Sequence, residues 1–478
     1  MWNIFLKKMP ENGIKSWILE TKRHLNFLNV FSLKKTEHGI IQMPFKNIVK
    51  TLLEVKHTSI DKLSIEDGSL VIDVHPTKSF RRKCGCCGRK GTFYDYGNDA
   101  GPRLWRCLDF EGHKVFLRYS MYRVYCQHCK KVHTCMVPWA SHGSRFTRKF
   151  ENATAWFALQ MNKSATSQYM RIAWRSVGEI MSRVKDSIAS TKGDPLDGLV
   201  NIGIDETSYC KGHKYMLVVV NHDDGKVVWV HEGHGKATIE LFFEALGPKR
   251  CKNIKLVSCD GARTIRDCVE KYCENAERCV DPFHVVEWTM EALDKVRAEF
   301  WRKAKADEPK VKRGKGRPKK GEEKKESLSQ IIKDSKYAVG KAPENLTVNQ
   351  RKKLELIAVK SPVLFRARAL KESLRLIFSM DYGQAKDELD KWIIWARRCR
   401  IKPFVELQKK IVRHYDAILA SIKYGLSNAR IEATNNKIKL VIRMAYGFRN
   451  TRNMLDMVML KCGCYKVPLP WEKTKDAA

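Results

Sequence analysis

The residues in this chain with the strongest claim to chemistry are acids that close apolar runs. Asp205 follows LVNIGI at 199–204, and Asp260 follows IKLVSC at 254–259. Both runs have strand length and β-branched character. A carboxylate ending a buried strand is costly to desolvate, so it needs a cation or a set of donors. Taken singly, either aspartate also suits a turn cap. A third acid, Glu432, opens a helical pattern in ARIEATNNKIKLVIRM, with Asn428, Asn435 and Asn436 nearby and Lys437, Lys439 and Arg443 on the following turns. Asn435, Lys439 and Arg443 are spaced by four and so share one helix face. Alone, this segment reads as a charged surface helix. Two carboxylates held together repel unless a cation lies between them. An oxygen-only ligand set favours Mg²⁺ or Mn²⁺. With a third acid to hold a second ion, ions roughly 3.5–4 Å apart can activate water and stabilise a leaving oxygen in phosphodiester chemistry.

A second ligand pattern uses sulfur. Cys84-Gly-Cys86-Cys87 and Cys126-Gln-His-Cys129 are two Cys-x-x-Cys knuckles joined by a β-prone segment. Each knuckle offers two thiolates from one tight turn, and two knuckles close a tetrahedron around structural Zn²⁺. The expected ligands are Cys84, Cys87, Cys126 and Cys129, with Cys86, His128, His133 and Cys107 as alternatives. Lys83, Arg89, Lys90, Lys130 and Lys131 flank the knuckles and suit phosphate contacts.

Elements must bring the distant acids together. After Asp205, Lys211, Gly212 and His213 suit a reversal, and 215–220 is a second apolar run, so the pair reads as a hairpin. KVVWVHEG is a third strand. KATIELFFEALG is a helix stopped by Gly247, IKLVSCD a fourth strand, TIRDCVEKYC a helix, AERCVDPFHV a fifth strand and EWTMEALDKVRAEFWRKA a long helix. Three strands, helix, strand, helix, strand, helix is the order of an RNase H-like α/β domain. In that order the first and fourth strands lie side by side and Asp205 meets Asp260. Ahead of it, LSIEDGSLVIDVHP alternates about Asp67-Gly68 as a hairpin. The segment 146–190 reads as helices, the last beginning near Trp174. This is consistent with a helix-turn-helix that offers Arg175 and Arg183 to DNA. Gly193, Asp194 and Pro195 mark a boundary. After the long helix, 303–326 is a Lys-rich flexible linker. Its Gly316-Arg317-Pro318 resembles an AT-hook core, in which Arg317 can lie along an A·T minor groove. The bland reading is a solvated basic loop. Helical patterns then fill 343–424.

The partition expected is an extension at 1–42 and an N-terminal helix, hairpin and zinc ribbon at 43–140. A helix-turn-helix-like DNA-binding domain follows at 141–192 and the first part of the catalytic domain at 193–302. The basic linker and helical insertion occupy 303–424, and the catalytic domain ends with the Glu432 helix at 425–478.

Bulk composition agrees. Lys and Arg number 90 against 53 Asp and Glu, a net charge of +37. Such a surplus repels itself unless a polyanion neutralises it, and double-stranded DNA is the obvious partner. Sixteen cysteines in Cys-x-x-Cys pairs, without a recognisable signal peptide, suit a reducing cytoplasm, in association with the nucleoid, better than a secreted disulfide scaffold.

The blocks GIDETSYCKGHKY with LVVVN, KLVSCD, DPFHVVEWTMEALDKVR and NARIEATNNKIKLVIRMAYGFRN, together with the double Cys-x-x-Cys ribbon, resemble the DDE transposases of the bacterial ISL-three insertion-sequence family. The resemblance runs from about Met43 to the end, and the N-terminal extension and long basic insert depart from it. Gly261 and Ala262 also stand where many relatives have bulkier, aromatic residues. It implies a carboxylate triad on Asp205, Asp260 and Glu432, two Mg²⁺ ions, binding of terminal inverted repeats, and strand cleavage followed by strand transfer. A dimer or larger synaptic assembly is also implied. His284 and Arg449 are candidates for phosphate contact. The competing expectations are a non-catalytic zinc-dependent DNA-binding regulator on the same scaffold, and a zinc-dependent structural or RNA-binding protein.

Overall fold

The computed structural model describes residues 34–35, 41–42, 49–51, 53, 55–97, 101–308, 327–426 and 429–472. Arg317, Asn428 and most of the expected extension and basic linker lie outside the described residues. Within the extension, Lys34–Lys35 pairs antiparallel with Ile41–Gln42. The chain divides into two compact units, Met1–Ala153 and Thr154–Ala478.

The first unit is β-rich. Strands β1 (Thr58–Glu66) and β2 (Ser69–Pro76) form the expected hairpin about Asp67-Gly68, with both turn residues at positive φ. They join β4 (Pro102–Arg106) and β5 (Val115–Ser120) in a sheet ordered β1-β2-β5-β4. A separate three-stranded sheet runs β3-β6-β7, from β3 (Thr92–Asp95), β6 (Arg123–Cys126) and β7 (Lys131–Thr134). Ile72, Val74, Trp105, Leu117, Val124 and Trp139 close a shared core.

Helix α1 (Arg148–Gln160) leads into α2 (Lys163–Met170) and α3 (Trp174–Lys192). Asn162 caps α2 by accepting from the Ala165 amide at 2.8 Å, and Arg171 ends it in the left-handed region. The chain then turns through 171–173, and α3 starts at Trp174, the start its pattern predicts. It runs 19 residues, because Val177, Ile180, Met181 and Val184 give it a continuous buried stripe.

A five-stranded sheet carries the candidate site. Its strands are β8 (Asn201–Cys210), β9 (Lys214–Asn221), β10 (Val227–Glu232), β11 (Leu256–Cys259) and β12 (Glu277–Val280), in spatial order β10-β9-β8-β11-β12. β8 pairs antiparallel with β9 and parallel with β11. Helices α4 (Lys236–Leu246) and α5 (Arg263–Tyr272) connect the strands in the expected order. The fifth strand is shorter than expected. It stops at Val280, and Asp281 with Pro282 starts helix α6 (Pro282–Ala306), because Asp281 accepts from the Phe283 amide and Pro282 suits the first helical position.

Strand alternation divides the residues between two faces. Ile202, Ile204, Leu217, Val219, Val257 and Cys259 pack with α4 and α5. Met216, Val218 and Val220 face the other way, onto Ile431, Ile438, Met454 and Val458. Those last residues lie on helices α14 (Ala429–Met444) and α15 (Thr451–Cys462).

Between α6 and α14 the insertion contributes α7 (Leu328–Asp334), α8 (Lys336–Gly340), α9 (Val348–Lys360), α10 (Pro362–Ile377), α11 (Tyr382–Arg398), α12 (Lys402–Arg413) and α13 (Tyr415–Tyr424). It shares one core with α6, centred on buried Trp392, whose indole N–H donates to the Leu370 carbonyl at 2.8 Å. Its last helix is fastened to β12: Ser421 donates to the Val280 carbonyl and the Tyr424 hydroxyl donates to Glu277.

Candidate active site and metal centres

The parity that sends Ile202 and Ile204 to the α4 side sends Gly203 and Asp205 to the α14 side. On β11 it likewise sends Val257 and Cys259 one way and Ser258 and Asp260 the other. The parallel register pairs Asn201 with Leu256, Ile202 with Val257 and Gly203 with Ser258. Carried two residues further, it sets Asp205 opposite Asp260. The structure thus brings together two acids far apart in sequence, on one face, and Asp260 is close enough for its charge to act on Asp205.

Asp205 does not end its strand. β8 runs on to Cys210 and Asp205 pairs with Val218 in the middle of the hairpin. The expected strand end falls instead where the pairing of β8 with β11 stops, at Gly203. Beyond that point the strand has one paired neighbour, which leaves room beside the acid.

Asp205 is held by two donors. One carboxylate oxygen accepts from the Glu206 amide at 2.9 Å, the other from the Asn435 side-chain amide at 2.6 Å. Burial pushes its carboxyl up to about 6; the donors and His284 pull it down, and Asp260 adds to the rise. Asp260 accepts from the Ala262 amide at 2.9 Å, ahead of α5. The neighbouring acid Glu206 turns away and accepts from the Gly235 amide at the start of α4.

Helix α14 is docked by three contacts within six residues. Arg430 donates to the His222 carbonyl, Ile431 lies against Gly203, and Asn435 reaches Asp205. Asn435 is 6% exposed and its Oδ1 has no hydrogen-bond partner. The expectation that it shares one surface face with Lys439 and Arg443 is therefore corrected, its assignment as a DNA contact with it: the helix turns Asn435 inward onto Asp205, while those two are exposed. Glu432 sits in the first turn of α14, exposed, beside the docked stripe. Among the described residues, the groups of three or more Cys, His, Asp or Glu ligand atoms lying within 4.8 Å of one another are both in the ribbon. Glu432 thus shares the helix that docks on Asp205 and is not gathered with the two aspartates.

The insertion supplies groups that the sequence did not assign. Lys410 on α12 lies over the Trp288 ring at 3.6 Å and within reach of Asp260's charge. Trp288 on α6 packs against Gly261, where any Cβ would overlap its indole, which gives a reason for glycine after the second acid. His414 lies tilted against Trp288, ring centroids 5.4 Å apart, and burial together with Arg278 lowers its pKa to about 4, so its imidazole is neutral near pH 7. His284, in the first turn of α6, contacts Glu287 at 3.2 Å. Arg449 is exposed. A signal for Lys410 and His414 existed only as Lys and His in a helical insert, with no spacing to tie them to Asp260.

An oxygen-only donor set, one carboxyl held above its ordinary range by burial and a neighbouring acid, and an orphaned amide oxygen fit a divalent cation. Asp205 and Asp260 would hold it.

In α3, Arg175 is exposed and Arg183 half-buried. The other side of this helix is committed: buried Asp456 of α15 accepts from Ser182 at 2.5 Å and pairs with Lys185 at 3.1 Å.

In the ribbon, the sulfurs of Cys84, Cys87, Cys126 and Cys129 lie within 4.8 Å of one another, as a tetrahedral metal requires. Local turns build this. Gly88, at φ +70°, returns its amide to the Cys84 carbonyl at 2.9 Å, and Lys130, at φ +54°, closes the second knuckle into β7. The Cys129 and His128 amides help to hold the Cys126 thiol down to about 7, close to the thiolate a metal needs. Cys107 is a core thiol, pushed up to about 12 by burial, and exposed His128 joins neither ligand group. Cys86 and His133 form a second group with Cys129.

Comparison with known proteins gives three family-model matches: the ISL3 transposase DDE domain at 202–458, the helix-turn-helix domain of transposase family ISL3 at 135–184, and the zinc-finger of transposases IS204/IS1001/IS1096/IS1165 at 81–129. Over 438 residues, 88% of this chain and 97% of the relative, the sequence is 44% identical to the transposase for insertion sequence element IS1557 of Mycobacterium tuberculosis. It is 25% identical over 351 residues, 73% of this chain and 81% of the relative, to the transposase for insertion sequence element IS1001 of Bordetella parapertussis.

Proposed function

The chain belongs to the ISL3 family of transposases, and from that premise we propose that it binds the terminal inverted repeats of an insertion sequence, cuts them at Asp205, Asp260 and Glu432, and transfers the freed ends to target DNA. It is a DDE transposase, an enzyme of polynucleotidyl transfer with DNA-binding and zinc-ribbon domains. Among the described residues no helix is long and apolar enough to cross a membrane, and we place its action at the bacterial nucleoid, in the cytoplasm.

The observation that carries the catalytic reading is the register that sets Asp205 opposite Asp260 on the face covered by α14. Mg²⁺ or Mn²⁺ bound there supplies a Lewis acid that activates water and steadies the leaving 3′ oxygen. Asn435 and the Glu206 amide each hold one oxygen of Asp205 and so fix the orientation of its carboxylate. Glu432, one residue past the anchored Ile431, is assigned as the third ligand, reaching the pair by rotation of its exposed side chain. Lys410 puts positive charge beside Asp260 and His284 offers a ring nitrogen near Asp205, both suited to the scissile phosphate. Lys439, Arg443 and Arg449 extend that charge along exposed positions where flanking phosphates can pass. Arg175 and Arg183 are assigned to end recognition, and Arg317 to minor-groove contact. Both element ends must be cut together, so a dimer or larger synaptic assembly is the working unit. Residues 43–140 and 141–192 serve as the end-binding domains, 193–302 with 425–478 as the catalytic domain, and 303–424 as its insertion.

The test is separation of binding from cutting. Asp205→Asn, Asp260→Asn and Glu432→Gln should each keep inverted-repeat binding and lose Mg²⁺-dependent cleavage by roughly 10³-fold, the scale of several kcal/mol of charge stabilisation. Full cleavage by any one of them removes that residue from the triad. Tight binding by the unaltered protein with no nicking in Mg²⁺ or Mn²⁺ would instead favour a non-catalytic regulator.

A further inference from the structure

The ribbon carries more ligand atoms than one tetrahedral ion uses. Cys86 lies inside the first knuckle, between Cys84 and Cys87, and its own amide points at the Cys84 sulfur, 3.4 Å away. Its side chain is exposed. It does not stand alone there: Cys86, Cys129 and His133 place one ligand atom each within 4.8 Å of one another. His133 is fixed on β7 by its pairing with Val124, and its Nε2 is buried without a hydrogen-bond partner. A buried polar nitrogen with nothing to satisfy it is uncommon in a folded protein, and a ligand is one of the ordinary reasons for it. Cys129 belongs to both the four-cysteine group and this one.

We propose that the ribbon binds two thiophilic dications of the zinc class, the second on Cys86, Cys129 and His133, with the Cys129 sulfur bridging the two. Two thiolates and an imidazole form a known type of three-ligand zinc set that leaves a fourth position open. Here that position lies on the exposed Cys86 side, where water can fill it. Charge favours the pair as well. Five thiolates around one dication would carry a net charge of −3, and a second dication brings the cluster to −1. A thiolate has lone pairs enough to bind two ions at once, and no bond other than the metal–ligand bonds is made or broken.

The test uses the full-length protein, stripped of metal and refilled with Cd²⁺ in excess Mg²⁺, followed by cadmium NMR and native mass spectrometry. Two thiolate-bound resonances are expected at two cadmium ions per chain, split by coupling through the shared sulfur. Cys86→Ser and His133→Ala should each keep the first resonance and lose the second. A single resonance at one thiolate-bound ion per chain overturns the proposal, and so do two uncoupled resonances, since the shared sulfur is its core. Persistence of the second resonance in either variant overturns it too. Loss of both resonances in both variants would place Cys86 and His133 in a single site and would equally overturn it.

Discussion

Asp205 keeps its proton to higher pH than a surface aspartate because burial, with help from Asp260, outweighs the two donors that hold it. Its folded-state pKa of about 6 lies above the unfolded value of about 3.9. On raising the pH, the unfolded chain therefore gives up this proton first. The contribution of Asp205 to the stability of the metal-free protein should be greatest below about pH 4, fall as pH rises toward about 6, and level off above that. A shift of about two units corresponds to about 2–3 kcal/mol. Added Mg²⁺ should offset this cost, raising the melting temperature by a few degrees at pH 7.5 and hardly at all at pH 4.5. Asp205→Asn should flatten the pH step and remove the Mg²⁺ response. Melting curves with and without Mg²⁺ at the two pH values check it; an equal Mg²⁺ shift at both would count against burial as the cause. The acid itself was legible in the sequence, because an apolar run ending on a carboxylate needs a partner. The identity of that partner was not: Asn435 is 230 positions away, and its helix-face pattern with Lys439 and Arg443 pointed to solvent. Nothing in spacing alone shows which member of an i, i+4 stripe is turned inward.

At the scale of elements, strand order and pairing were readable because alternation and apolar runs survive in a single sequence. What resisted reading were the ends. β8 continues past Asp205 because its hairpin with β9 still pairs there. β12 stops early because Asp281-Pro282 is a better helix start than a strand continuation. The packing of α12 beside Asp260 and of α13 on β12 was hidden for a different reason: the insertion's Trp and Leu stripes announce a core without saying against what. The docking of α14 rests on the smallest residue of β8. A Cβ at Gly203 would fall inside the Ile431 side chain and within 2.8 Å of His222 Nε2, which itself meets the Ser258 hydroxyl at 2.5 Å. Gly203→Val should thus lift the first turn of α14, and Glu432 with it, at a stability cost of about 1–3 kcal/mol for overpacking. Cleavage should fall by at least tenfold, while inverted-repeat binding is kept. Circular-dichroism melting together with paired binding and cleavage assays checks this; a variant with wild-type cleavage would show that Glu432 is not positioned by this contact.

At the scale of the whole molecule, the surplus of positive charge was legible from composition, but its distribution among functions was not. A chain with net charge +37 gains much of its affinity for DNA by releasing counterions, whatever the sequence bound. If about eight phosphates are neutralised, the logarithm of the inverted-repeat affinity should fall with the logarithm of salt concentration at a slope of about −7. Exposed Lys439 and Arg443 lie on the helix of Glu432, so changing either to Ala should lower the magnitude of that slope by about 1 for a cleavage-ready complex. The same change should weaken binding almost uniformly across DNA sequences, since a phosphate contact carries no base information. Arg175→Ala, by contrast, should narrow the gap between inverted-repeat and random DNA, because it sits exposed in the first turn of α3, where a helix-turn-helix contacts base edges. Fluorescence anisotropy across a salt series, with both DNAs and the three variants, separates the two behaviours. If Arg175→Ala changed only the salt slope and left the ratio of the two affinities untouched, recognition of the element's ends would have to lie elsewhere, with the basic residues of the ribbon knuckles the first alternative.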